Sequence, residues 1–160
     1  MRNVVVVDAN IALKWVIDEP DSNIAEALLT MWGNKKIVML APALLAYEVT
    51  NVLYQNVRKG KITINRAREA LADVLFIGLE LDFSQDPDLG RRAMELAQRF
   101  NLPATYDPHY LALAERKSCE FWTADIKLWK AVQGELDWVR WMSDYQPTDQ
   151  HTSPNKSDNS

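Results

Sequence analysis

Short apolar runs alternate along the chain with longer segments of helical period. Val4 to Val7 is wholly apolar and β-branched, which suits a strand buried on both faces of a parallel sheet, and it reads as the first, central strand. Ile11 to about Ile17 has a helical pattern, and Ser22 is placed to cap a second helix that runs to about Trp32 and stops at Gly33-Asn34. Ile37 to Leu40 predicts a second strand. Ala43 to Arg58, closed by Gly60, and Arg66 to about Ile77, capped by Asn65, are amphipathic and read as helices. Glu80 to Phe83 predicts a short third strand, and Pro87 to Phe100 and Pro108 to Lys117 predict helices opened by proline. Cys119 to Thr123 then reads as a strand, Ile126 to about Val132 as a short helix, and Trp138 to Met142 as a last strand. This alternation predicts an α/β fold: a three-layer sandwich whose central, mainly parallel sheet of about five strands is flanked by helices.

With 160 residues, 48% of them hydrophobic, the chain can bury one sizeable core. One domain is expected over residues 1–142. From residue 143 to 160 the only hydrophobic residue is Tyr145, too little to offset the entropy of ordering, so this polar tail is expected to be disordered. The lone cysteine, Cys119, has no partner for a disulfide or a zinc site, which points to a reducing compartment, the cytoplasm. The four valines are too few for a signal peptide, and no stretch approaches the roughly 20 apolar residues of a membrane span. A net charge of −4 offers no general attraction to phosphates. That objection to a nucleic-acid ligand weakens where acids converge on bound cations, which reverse the local sign.

Four acids stand where an α/β sheet places its chemistry, outside the C-terminal ends of strands or on helix faces turned toward them. Asp8 follows the first strand directly; a helix cap is its alternative role, although Asn10 is the better placed cap. Glu48 falls inside the apolar stripe of Leu44, Leu45, Val49, Val52 and Leu53, so its carboxylate must be paired, protonated or metal-bound. Asp107 precedes Pro108 and is explained either as a cap or as an acid projecting toward the sheet on the side of Leu111 and Ala114. Asp125 follows the fourth strand and has the same two readings. At about 5 Å and an effective dielectric near 20, each ionised pair would repel by roughly 3 kcal/mol, so the four together call for cations. Oxygen-only donors select magnesium or manganese, and the absence of a histidine or cysteine cluster argues against zinc.

In this order and spacing the chain resembles the PIN-domain nucleases, and among them the VapC-type toxins of toxin–antitoxin pairs. VVVVDANIALKW is similar to their opening strand and first acid, YEVTNVL to the helix of the second, YDPHYLALAE to that of the third, and WTADIKLW to the strand end with the fourth. The resemblance runs from Arg2 to about Met142. It implies that Asp8, Glu48, Asp107 and Asp125 are metal ligands and catalytic acids of a ribonuclease that hydrolyses RNA phosphodiester bonds using Mg2+ or Mn2+. Asn10 and Thr123 occupy supporting positions, although many relatives carry serine or threonine where Asn10 stands. The resemblance also implies a homodimer and a small antitoxin lying in a groove of the early helices, for which Trp15 and Trp32 are the candidate contacts.

Arg58, Lys59 and Lys61 at the end of the Glu48 helix, and Lys127 just past Asp125, are the candidate holders of an RNA backbone; Lys14 is a weaker one. Two rival functions are weighed against the nuclease. A non-catalytic RNA-binding or interaction module would use the acids structurally. A phosphoryl-aspartate domain is disfavoured, because Asn10 stands where the dehalogenase-like pattern needs a second aspartate, and Val7 and Ala9 flank Asp8 where a receiver needs adjoining acids.

Overall fold

Each apolar run predicted as a strand pairs in one sheet in the computed structural model, which describes residues 2–147. The strands β1 (Val4–Val7), β2 (Val38–Pro42), β3 (Glu80–Asp82), β4 (Glu120–Thr123) and β5 (Val139–Trp141) are parallel throughout and lie in the order β3-β2-β1-β4-β5. Val5, Val6 and Val7 are at most 3% exposed, as a central strand covered on both faces requires. Between the strands run α1 (Ala9–Lys14), α2 (Ser22–Asn34), α3 (Leu44–Arg58), α4 (Ile64–Phe76), α5 (Pro87–Arg99), α6 (Tyr106–Lys117) and α7 (Ile126–Val132).

Adjacent residues of a strand point to opposite faces, and β4 shows which helices cover which. Phe121 stacks on Tyr110 of α6, while Trp122 meets Trp32 of α2 edge-on. Helices α6 and α2 therefore cap opposite faces, which gives the three layers. Five successive residues of α6, Tyr110 to Ala114, are buried, because this helix lies between the sheet and α5 and has little free face.

Helix starts differ from the sequence expectation wherever backbone geometry, not side-chain type, decides the cap. Asp8 itself caps α1, with Ile11 N–H donating to it at 2.9 Å, and Asn10 lies exposed in the first turn. Ser22 is inside α2; its hydroxyl accepts from the Glu19 N–H at 3.0 Å and donates to the Ile17 carbonyl at 3.2 Å, tying the α1–α2 loop. Thr63, in extended conformation, caps α4 in place of Asn65. Helix α6 starts at Tyr106, so Asp107 and Pro108 both sit within its first turn.

After β5 a 3-10 turn, Met142–Asp144, leads to Tyr145, whose ring meets Trp122 edge-on. Positions 148–160 of the expected tail lie outside the described residues. Among the described residues no helix is long and apolar enough to cross a membrane.

The packing separates the two tryptophans expected at a surface groove. Trp32 is 2% exposed, so it belongs to the core and offers a partner almost no surface. Trp15 is partly exposed and donates its indole N–H to the Ala25 carbonyl at 2.9 Å, pinning α1 to α2. We expect Trp32→Ala to cost about 3–5 kcal/mol of stability in urea denaturation, the range for truncating a buried large aromatic. A loss below about 1 kcal/mol would show that the ring is not part of the core.

Candidate active site

The connection from β1 leads to β2 on one side of the sheet, and β4 lies on the other, so the strand order reverses between β1 and β4. The crevice outside the C-terminal ends of these two strands is the place where open parallel sheets bind ligands. Asp8 stands there, 5% exposed, with its own N–H donating to the Trp122 carbonyl at 3.2 Å. Oδ1 of its carboxylate accepts from Ile11 N–H, and Oδ2 accepts from the Thr123 hydroxyl and, at 3.2 Å, from the Ala124 N–H. Burial nonetheless pushes its carboxyl up to about 7, with the charge of Asp107 adding to the effect, because three hydrogen bonds return less than the lost water provided.

Glu48 is carried in by the apolar stripe of α3, where Leu45, Val49 and Leu53 are buried around it. Its Oε1 accepts a 2.8 Å hydrogen bond from the Tyr110 hydroxyl, which joins α3 to α6. Burial raises the Glu48 carboxyl above its ordinary value; the tyrosine bond opposes this, and Asp107 reinforces it. Tyr110, 1% exposed, is in turn held far from ionisation, by burial first and by the Glu48 charge second.

Asp107 is half-buried in the first turn of α6, with no side-chain hydrogen bond among the described residues. The cap role that its sequence position allows therefore falls away, since the N-cap position belongs to Thr105. A helix N-terminus favours an anion, yet burial, and then the charge of Asp125, raise this carboxyl too. Asp125 does fulfil its cap role: Oδ1 accepts from the N–H groups of Lys127 at 2.9 Å and Leu128 at 3.2 Å. Thr123, fully buried, binds the two strand ends together, donating to Asp8 and accepting from the Asp125 N–H at 2.9 Å.

The fold brings all four acids into one electrostatic neighbourhood, in which Asp107 raises both Asp8 and Glu48, and Asp125 raises Asp107. Among the described residues, no three histidine, cysteine, aspartate or glutamate side chains stand close enough to grip one ion as they are placed. The donor set still fits a hard cation. A carboxylate offers about four lone-pair sites; Asp8 uses three, Glu48 one, Asp125 two on one oxygen, and Asp107 none. The remaining oxygens, and the mutual repulsion of buried carboxylates, suit a hard divalent cation rather than a softer metal.

The basic candidates are not gathered in the same way. Arg58 lies ten residues past Glu48 on the same helix, about 15 Å away along its axis, and Lys59 and Lys61 follow in the exposed turn beyond it. Lys14 turns away, to Glu19 at 3.1 Å and the Pro20 carbonyl at 2.9 Å. Lys127 is exposed and offers its backbone N–H, as distinct from its ammonium, to Asp125. Sequence reasoning missed Tyr110. Its signal lies within YDPHYLALAE, where it follows Asp107 by three residues and so shares its side of the helix.

Compared by family, residues 5–134 match the model described as PIN domain. Compared by sequence with curated proteins, the chain matches none. Among solved structures, a toxin–antitoxin complex from Klebsiella pneumoniae matches with a TM-score of 0.58 at 18% identity, covering 85% of this chain and 95% of that one. VapBC2 from Rickettsia felis, bound to a DNA fragment from its promoter, matches with a TM-score of 0.59 at 16% identity, over 86% of this chain and 96% of that chain. The Mycobacterium tuberculosis toxin VapC20, described as cleaving the sarcin-ricin loop, matches with a TM-score of 0.59 at 17% identity, over 80% and 95%. At these identities the likeness is one of fold.

The raised acids set a pH dependence for the metal-free protein. Asp8 titrates near 4 when unfolded and at about 7 when folded, so the native state holds the extra proton between those values. Its contribution to stability is full below about pH 4, falls as pH rises, and is lost above about 7; Glu48 and Asp107 act in the same direction. In chelator, the melting temperature of the wild type should drop by roughly 5 °C or more from pH 4 to 8. Asp8→Asn should flatten that slope, and an equal slope in the variant would place the origin of the dependence elsewhere.

Proposed function

The chain belongs to the PIN-domain family, and from that premise we propose that it is a divalent-metal-dependent endoribonuclease, the toxin of a VapBC-type pair. The observation that carries the reading is the set of buried or half-buried carboxylates at the switch point, where burial raises Asp8, Glu48 and Asp107, the charge of Asp107 adds to the first two, and that of Asp125 adds to Asp107. Such a set is costly without cations and has no purpose in the packing of the core. Held there, Mg2+ or Mn2+ would supply a water of lowered pKa and positive charge for the scissile phosphate and the leaving oxygen.

The protein's own groups have separable tasks in this reading. Asp8, Glu48, Asp107 and Asp125 would hold the cation. Thr123 fixes the Asp8 carboxylate and the turn that carries Asp125. Tyr110 keeps one oxygen of Glu48 occupied and leaves the other for metal or water. The phosphoryl-aspartate alternative is disfavoured further by Asp8 itself, whose two oxygens are both engaged in hydrogen bonds.

A small cognate antitoxin is the proposed partner, supported by the fold shared with the toxin–antitoxin complexes. The part-exposed Trp15 is the remaining aromatic of the early helices for that contact. A homodimer acting in the cytoplasm completes the proposal.

The decisive experiment is cleavage of mixed single-stranded RNA with Mg2+, with Mn2+ and with chelator. Asp107→Asn is the cleanest variant, because this side chain caps nothing; it should lower cleavage more than ~100-fold, beyond the effect of losing an outer-shell partner. Asp8→Asn, Glu48→Gln and Asp125→Asn should do the same without adding, since the four build one site. Wild-type rates in all four variants, or equal cleavage in chelator, would overturn the metal-nuclease reading.

Metal binding itself gives an independent measure. Manganese should raise the melting temperature, and by more at pH 8 than at pH 6, because cation and proton compete for the same raised carboxylates. A shift that is absent, or larger at the lower pH, would count against a clustered acidic site.

A further inference from the structure

A cleft of about 370 Å³ opens at the β5 edge of the sheet. Val139, Arg140 and Trp141, the whole of that strand, line it. Adjacent strand residues point to opposite faces, so a cleft that touches all three follows the outer side of the strand. That side pairs with no other strand among the described residues. None of the four site acids lines the cleft.

Its walls are aromatic. Trp129 of α7 stacks on Trp141 with ring centroids 5.5 Å apart, and Tyr145 meets Trp122 edge-on at 6.2 Å. Trp129, Trp141 and Tyr145 are each partly exposed, so ring surface is open to a ligand. Three carboxylates share the lining, and they are not alike. Glu120 is already satisfied, because it accepts from the Trp122 indole N–H at 2.9 Å and pairs with Arg140, the one cation of the lining, at 3.2 Å. Asp137 and Asp144 are exposed and take part in no ion pair among the described residues. The cleft therefore keeps two unmatched negative charges beside open indole rings.

We infer that this cleft docks an arginine side chain carried by an extended segment of a partner protein. Aromatic surface beside unmatched carboxylates attracts an organic cation. A guanidinium is planar and more weakly hydrated than an ammonium, so it stacks on an indole and pairs with a carboxylate at the same time. The free strand edge along the cleft offers main-chain hydrogen bonds to the segment that bears the arginine, as extended peptides use when they add to a sheet. The inference needs neither metal nor RNA and stands apart from the nuclease reading.

The test uses the full chain and a blocked hexapeptide of alternating threonine and arginine, with binding read by calorimetry at low salt and by the indole N–H resonances in NMR. The peptide should bind and shift the Trp129 and Trp141 resonances while leaving Trp15 unmoved. Asp137→Asn combined with Asp144→Asn, two exposed positions, should weaken binding roughly tenfold. Glu26→Gln combined with Asp73→Asn, which changes the net charge equally at exposed positions elsewhere, should not. Asp107→Asn should also leave binding unchanged, and the lysine counterpart of the peptide should bind several-fold more weakly. No binding, equal binding of the lysine peptide, or equal weakening by the control pair would overturn the inference. So would loss of binding in Asp107→Asn, which would place the peptide at the site acids. Self-association of the wild type that disappears with the Asp137 and Asp144 variants would assign the cleft to a second copy of this chain and overturn it as well.

Discussion

Negative charge held out of water at the mouth of β1 is the constraint on which the rest of the site depends. Asp8 cannot move away, because its own N–H is bonded to β4 and its carboxylate to the first turn of α1 and to the end of β4. It cannot be ionised cheaply either, because burial outweighs its hydrogen bonds. Around this fixed point each further acid makes ionisation harder for its neighbours, and positive charge is the one addition that relieves all of them together.

The sheet makes the arrangement possible. Parallel strands send all their C-terminal ends to one edge, and the reversal of order between β1 and β4 opens a gap there into which α6 and α3 deliver Asp107 and Glu48. Both helices are anchored by their apolar faces, α6 through Tyr110 on Phe121 and α3 through Leu45, Val49 and Leu53. The acids are thus placed by hydrophobic burial on the other sides of the same elements, which is why polar residues can be held where they repel one another.

Much of this could be read from the chain before its structure. Period and β-branching located all five strands, since Val4 to Val7 or Phe121 and Trp122 have nowhere to go but a sheet interior. Glu48 was conspicuous because a charge within an apolar stripe has no local explanation. Caps were harder: Asp8 for Asn10, Thr63 for Asn65 and Tyr106 as the true start of α6 depend on backbone angles that tertiary packing sets. The cationic residues were the least legible. Where Lys14 points is decided by the loop that carries Glu19 and Pro20, and side-chain type says nothing about that.

The hydrogen bond from Thr123 to Asp8 spans 115 residues of sequence. During synthesis the first strand and its acid leave the ribosome long before β4 exists, and long-range parallel pairing is slow to close once it does. A nascent chain that already contains Asp8, Glu48 and Asp107 still lacks the strand that orders them. The acid that the first strand presents is therefore held in its final geometry only by the fourth, which ties the assembly of the site to the closing of the sheet.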